Sequence, residues 1–192
     1  MKKRIGTVLT VLVLACAVIA LYLFIDRSGD KEKEIEKTPT QILLEKNLET
    51  NYPPTPYSVA ELYCGIIECI YQPNTTEEQL EELVKLERGL FDEEFAAINS
   101  YEQLLAATKD ELEQAKEKKL VFTGYILDKS SNVERWKKNG SEYASLQFQL
   151  LLRNTEGSGT SMRNLIMRKD ANGRYKILGW EITEQSENAE NQ

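Results

Sequence analysis

Apolar positions along this chain change period twice, and each change marks a change of structure. Residues 5–25, IGTVLTVLVLACAVIALYLFI, run for twenty-one positions without a charge. At about 1.5 Å rise per residue that crosses a hydrocarbon core of roughly 30 Å, so the run predicts a transmembrane helix. Between 38 and 119 the apolar residues recur at helical spacing, and from 120 to 183 they alternate.

Start signals divide the helical part. Thr38-Pro39 with Gln41 reads as an N-cap, a proline in the first turn and a capping-box partner, and predicts a short helix to about Glu49. The prolines at 53, 54 and 56 interrupt it, since each removes a donor and pushes its predecessor out of the α region. Ser58 with Glu61 then opens a helix whose apolar residues, Val59, Leu62, Tyr63, Ile66, Ile67 and Ile70, form one core-facing stripe. Thr75 with Glu78 starts another, bearing Leu80, Leu83, Val84 and Leu90 under an acidic outer face. Asp92 to Ile98 reads as a helical turn, and Ser100 with Gln103 opens the longest helix, closed by Lys116, Lys118 and Lys119 against its dipole.

Four strands follow. Leu120–Asp128 is the first. Tyr143–Arg153 is the second, with Leu146, Phe148, Leu150 and Leu152 on one face and Gln147 and Gln149 on the other. A turn at 156–159 leads to Ser161–Lys169. Asp170-Ala171-Asn172-Gly173, an Asn-Gly hairpin signal, leads to Arg174–Thr183. The expectation is an α+β domain in which a curved four-stranded antiparallel sheet closes over its helices, with Ile66 and Ile67 meeting Leu146, Phe148 and Leu150.

Charge orients the whole. Lys2, Lys3 and Arg4 precede the uncharged run, while the residues after it mix both signs, which favours a cytoplasmic N-terminus and a domain outside. The chain then divides into a basic start (1–4), a transmembrane helix (5–25), a charged tether (26–37), a domain (38–183) and a disordered polar tail (184–192). Two other readings of the run compete. A cleaved secretory signal normally has a shorter apolar stretch and a small-x-small site, which Tyr22-Leu23-Phe24-Ile25 does not supply. A lipoprotein anchored at Cys16, after Val13-Leu14-Ala15, would have to continue through nine more apolar residues. The uncleaved anchor is preferred, and either anchored reading leaves the domain at a plasma membrane.

All 31 acidic residues and 21 of the 24 basic ones follow the run, so that part carries a net charge of −10. Such a surface repels nucleic-acid phosphates and anionic lipid headgroups, so no nucleic-acid partner is expected.

The order of elements and the closing strand Gly173-Arg174-Tyr175-Lys176-Ile177-Leu178-Gly179-Trp180-Glu181-Ile182 resemble the NTF2-like (cystatin-like) superfamily of cone-shaped α+β domains. More narrowly, Tyr52-Pro53-Pro54-Thr55-Pro56-Tyr57 before Val59-Ala60-Glu61-Leu62-Tyr63, with the Asp92-Glu93-Glu94-Phe95 turn, is similar to uncharacterised membrane-anchored domains of Gram-positive Firmicutes. The resemblance covers roughly 38–183. It implies a cone that can hold a pocket, in a superfamily that contains enzymes and binding modules alike.

Chemistry is sparse. The chain has no histidine, and its cysteines outside the run are Cys64 and Cys69. Five apart on a helix, their Cα atoms are roughly 8–9 Å apart and rotated by about 140°, outside the disulfide range of about 7 Å. They are expected as free core residues. With no Cys/His pattern, no metal site and no cofactor is expected. The acidic run 77–94 lacks the alternating ligands and glycine of a calcium loop and is read as a solvated helix face. A lone catalytic carboxylate would have to be buried on an apolar face. The candidates the strand pattern offers are Glu181 and Asp128, both expected to be solvent-facing or paired, while Asp170 reads as a turn residue. No catalytic residue is therefore assigned. The conical interior is expected to be lined by Leu, Ile, Phe, Tyr and Trp without an ionisable group at its floor. The functional expectation is a non-catalytic extracytoplasmic binding or interaction module, with a small-ligand sensor and, behind it, an isomerase- or dehydratase-type enzyme as alternatives.

Overall fold

The computed structural model describes residues 37–183. Its helices are α1 (Pro39–Leu44), α2 (Pro56–Ile70), α3 (Glu77–Gly89), α4 (Glu93–Ile98) and α5 (Tyr101–Glu117), and its strands β1 (Val121–Leu127), β2 (Glu134–Lys138), β3 (Ser141–Arg153), β4 (Ser158–Lys169) and β5 (Tyr175–Ile182). The fold is α+β with a five-stranded antiparallel sheet.

That sheet corrects the expected four strands. The additional one is β2, which pairs with the first part of β3, beside the stretch where β1 pairs with its second part. Every residue of β2 is exposed, so no inward apolar alternation marked it. Its signal was the turn. Asn139 (φ 51°) and Gly140 (φ 79°) are both left-handed, the geometry of a two-residue type I′ hairpin. Among the described residues no helix is long and apolar enough to cross a membrane. The helix expected over 5–25 and the tail 184–192 both fall outside the described residues.

Caps set the helix starts, in two cases not where the sequence suggested. Thr38 and Gln41 close their capping box as expected, and so do Ser100 and Gln103, but α1 ends at Leu44. The cap of α2 is Thr55, with Pro56 in the first turn and Ser58 as its reciprocal partner, so Ser58 completes the box instead of opening it. The cap of α3 is Thr76 with Gln79, one residue beyond Thr75 and Glu78. The Thr75 hydroxyl is engaged elsewhere, donating 2.6 Å to the Cys69 carbonyl and tying the loop to the end of α2.

The central helix α2 lies on the inner face of the sheet. Val59, Ala60, Cys64 and Ile66 are fully buried, and Ile67 nearly so, in one cluster with Leu146, Phe148, Leu150, Leu165, Met167 and Ile177. The expected inward set of β3 is therefore correct, although Leu152 is only half-buried. Tyr63 meets Phe148 edge-on at 6.0 Å and Trp180 at 5.8 Å, and Trp180 in turn meets Phe95 of α4. The outer edge of β5 is covered where Asp92 donates to the Ile177 carbonyl (2.7 Å) and Ile177 donates to that of Leu90 (2.8 Å). That contact satisfies a stretch of backbone that would otherwise be an open edge.

Candidate functional site

Two adjoining features meet at Tyr71, one an open groove and the other a polar cluster that runs from the exposed Glu111 to the buried Glu87 and Tyr63. The groove, about 800 Å³, lies between the end of α2, the start of α3, the C-terminal half of α5 and the start of β1. Ile70, Leu80, Leu112, Ala115 and Phe122 give it an apolar floor. Phe122 stacks on Tyr71 with ring centroids 5.4 Å apart and planes 28° from parallel. Lys109, Lys116 and Lys119 stand around it with Glu77 and Glu113. Lys109 is engaged by Glu77 at 2.5 Å, whereas Lys116 and Lys119 form no ion pair among the described residues. Two of the three lysines that the sequence placed at the helix end to match its dipole, Lys116 and Lys119, thus also line a concave surface. The volume falls in the range of pockets that hold small molecules, roughly 300–1,000 Å³.

Behind Tyr71 lies the cluster. Its hydroxyl donates to Glu111 Oε1 at 2.6 Å, joining α2 to α5. Burial and that carboxylate push the Tyr71 phenol above its usual range. Glu111 lies close enough to Glu87 of α3 to add its charge to the effect of burial there. Glu87 is 6% exposed, its carboxyl accepts no hydrogen bond among the described residues, and that carboxyl is raised from 4.5 to about 7. Burial raises the phenol of Tyr63 as well, and Glu87 adds to it. On the sheet side Arg163, half-buried, sits opposite Phe148 on the inner face of β4. Its Nε donates to the Ser161 hydroxyl at 3.4 Å, and its charge reaches Tyr63, Cys64 and Tyr71.

These positions depart from the expected all-apolar interior. Glu87 falls within the run 77–94 read as a solvated face; of its acidic residues Glu77, Glu78, Glu82, Glu93 and Glu94 are exposed as expected, whereas Glu87 and Asp92 are buried. Asp92 is buried as the cap of α4, and Glu87 is buried because Leu80, Leu83, Val84 and Glu87 share one stripe at spacings of three and four. That spacing was the signal available for it. Arg163 carried none comparable, because the face of β4 follows from its register with β3.

The carboxylates weighed earlier lie apart from this site. Glu181 is exposed at the end of β5. Asp128 is half-buried and accepts from the Asn132 amide and the Lys129 backbone, so it organises the turn after β1. Asp170 accepts from the backbone of Asn172 and Arg174 in the β4–β5 turn. Cys64 and Cys69 are both buried and free. Among the described residues no group of three or more His, Cys, Asp or Glu side chains could hold a metal ion.

Residues 1–180 match a family model described as "Domain of unknown function (DUF6715)", and the chain belongs to that family. No curated protein matches it.

Proposed function

We propose that this member of the DUF6715 family is a non-catalytic binding module that takes an elongated apolar molecule bearing an anionic group into the groove beside Tyr71. The observation that carries this reading is the pairing of an apolar floor with Lys116 and Lys119 at one mouth. An alkyl chain or flat ring gains by burial on Leu80, Leu112 and Phe122. A carboxylate or phosphate at its end meets two ammonium groups with no protein counter-ion among the described residues. Glu87 does not line this groove, so the buried carboxyl is not presented to a molecule held there.

The domain's location belongs to the same proposal. The uncharged run 5–25, preceded by Lys2, Lys3 and Arg4, supports attachment to a plasma membrane with the domain outside, and Cys16 offers lipid anchoring as the alternative. The likeness to anchored, NTF2-like domains of Gram-positive Firmicutes supports this through the order of the elements and the segment 52–63.

Displacement of a fluorescent fatty-acid probe from the full chain tests the binding reading. Saturable binding that weakens at least tenfold in a Lys116→Glu/Lys119→Glu double variant supports it. No saturable binding, or binding indifferent to both substitutions, overturns it.

A further inference from the structure

The groove leaves the opposite side of the sheet unexplained, and that side carries a second concave surface. The β2–β3 hairpin places Trp136 directly across from Tyr143, with rings stacked 5.6 Å apart and 10° from parallel. Trp136 is 38% exposed, and no residue of β2 is buried. Core packing therefore does not account for a tryptophan at this position. Two residues along the ladder, on the same face, Glu134 lies opposite Ser145, and Gln147 follows with Asn164 across from it on β4. These four side chains line a cleft of about 470 Å³, walled by the turn after β1.

The chemistry of the cleft is polar. Among the described residues neither the Gln147 nor the Asn164 amide makes a side-chain hydrogen bond, and Glu134 receives only a long 3.5 Å contact from the Ser145 hydroxyl. Two adjacent amides present donors and acceptors side by side, and a carboxylate adds acceptors. That set complements neighbouring hydroxyl groups, each of which both donates and accepts. Asp128 is already satisfied by Asn132 and Lys129, so it shapes the wall. Glu134 and Asp128 disfavour a phosphate or another anion here. The mostly polar lining, in which Val133 and Leu146 are the apolar members, disfavours a lipid.

From this arrangement we propose that the outer face of the sheet around Trp136 binds a saccharide chain. The amides of Gln147 and Asn164 with Glu134 hold the hydroxyls of one residue, and the Trp136–Tyr143 stack carries the C–H face of the next. An exposed aromatic face is negative at its centre and attracts the weakly positive ring hydrogens of a sugar. The site does not depend on occupancy of the groove, from which it is separated by the sheet.

The test is isothermal titration of the full chain with chitotetraose and with cellotetraose, alongside co-sedimentation with insoluble peptidoglycan. Binding of either oligosaccharide or of peptidoglycan is expected, weakened at least tenfold by Trp136→Ala and, independently, by Gln147→Ala/Asn164→Ala, a pair that leaves the hairpin intact. Chitotetraose alone would identify acetamido sugars as the class, and both oligosaccharides the pyranose ring itself. Binding to peptidoglycan but to neither oligosaccharide, if lost in both variants, would assign the site to the wall polymer. Fatty-acid displacement should be unchanged in these variants, which separates this site from the groove. No binding to any of the three probes, or binding that survives both sets of substitutions, overturns the proposal.

Discussion

Arg168 of β4 holds Asp92, the N-cap of α4, through two guanidinium nitrogens, Nε to Oδ2 at 3.1 Å and Nη2 to Oδ1 at 2.5 Å, while its Nη1 reaches Glu94 at 2.8 Å. The Asp92 side chain is 5% exposed, and its Oδ1 also accepts from the Glu94 backbone. One carboxylate thus caps a helix and fixes that helix to the sheet. The pairing is bidentate, a geometry a lysine does not reproduce.

Replacing Arg168 by glutamine should therefore cost about 3 kcal/mol, because a buried carboxylate loses its counter-charge. Urea denaturation checks this. Arg168→Lys should recover only part of the loss, and a glutamine variant as stable as the parent would show that the pair contributes nothing.

Phe148 is 1% exposed and packed edge-on against Tyr63. Truncation to alanine should cost about 3–5 kcal/mol through lost burial and the cavity left behind. A melting temperature within a degree of the parent's would mean that Phe148 does not face the core.

Glu87 makes stability depend on pH. Its folded carboxyl titrates near 7 and its unfolded one near 4.5, so the folded state holds the proton more tightly. The contribution of the protonated carboxyl is complete below about pH 4.5 and is lost as pH rises toward 7. At about 1.4 kcal/mol per pH unit over that interval, the loss is about 3 kcal/mol. Glu87→Gln removes the titrating group, so the variant should be more stable than the parent at pH 8 and gain little at pH 4. Parallel stability curves for the two proteins would contradict this.

The Cys64 thiol is fully buried, and burial pushes it up to about 12. Cys69 is 3% exposed and raised too, again chiefly by burial. In a chain with Cys16 replaced by serine, a water-soluble thiol reagent at pH 8 should label neither until denaturant is added. Rapid labelling of the native protein would show that the end of α2 opens readily.

The sequence alone determined the elements whose signals are local. Capping pairs at Thr38 and Ser100, the helical stripe from Val59 to Ile70 and the alternation from Leu146 to Leu150 each need only a few neighbouring residues to be read. The free cysteines followed from helix geometry alone. Tertiary structure decided what depends on distant partners. Ser58 and Thr75 both look like caps, and the chain uses Thr55 and Thr76 instead, with the Thr75 hydroxyl drawn to the Cys69 carbonyl. The strand β2 buries nothing, so it has no inward apolar pattern and exists through its hairpin with β3. Glu87 is one glutamate among many in its segment until α2 and α5 close around it and exclude the water that would hold its charge. Arg163 faces inward because β4 takes its register from β3. The groove and the cleft are likewise made by residues far apart in the chain, so local spacing carries no trace of either.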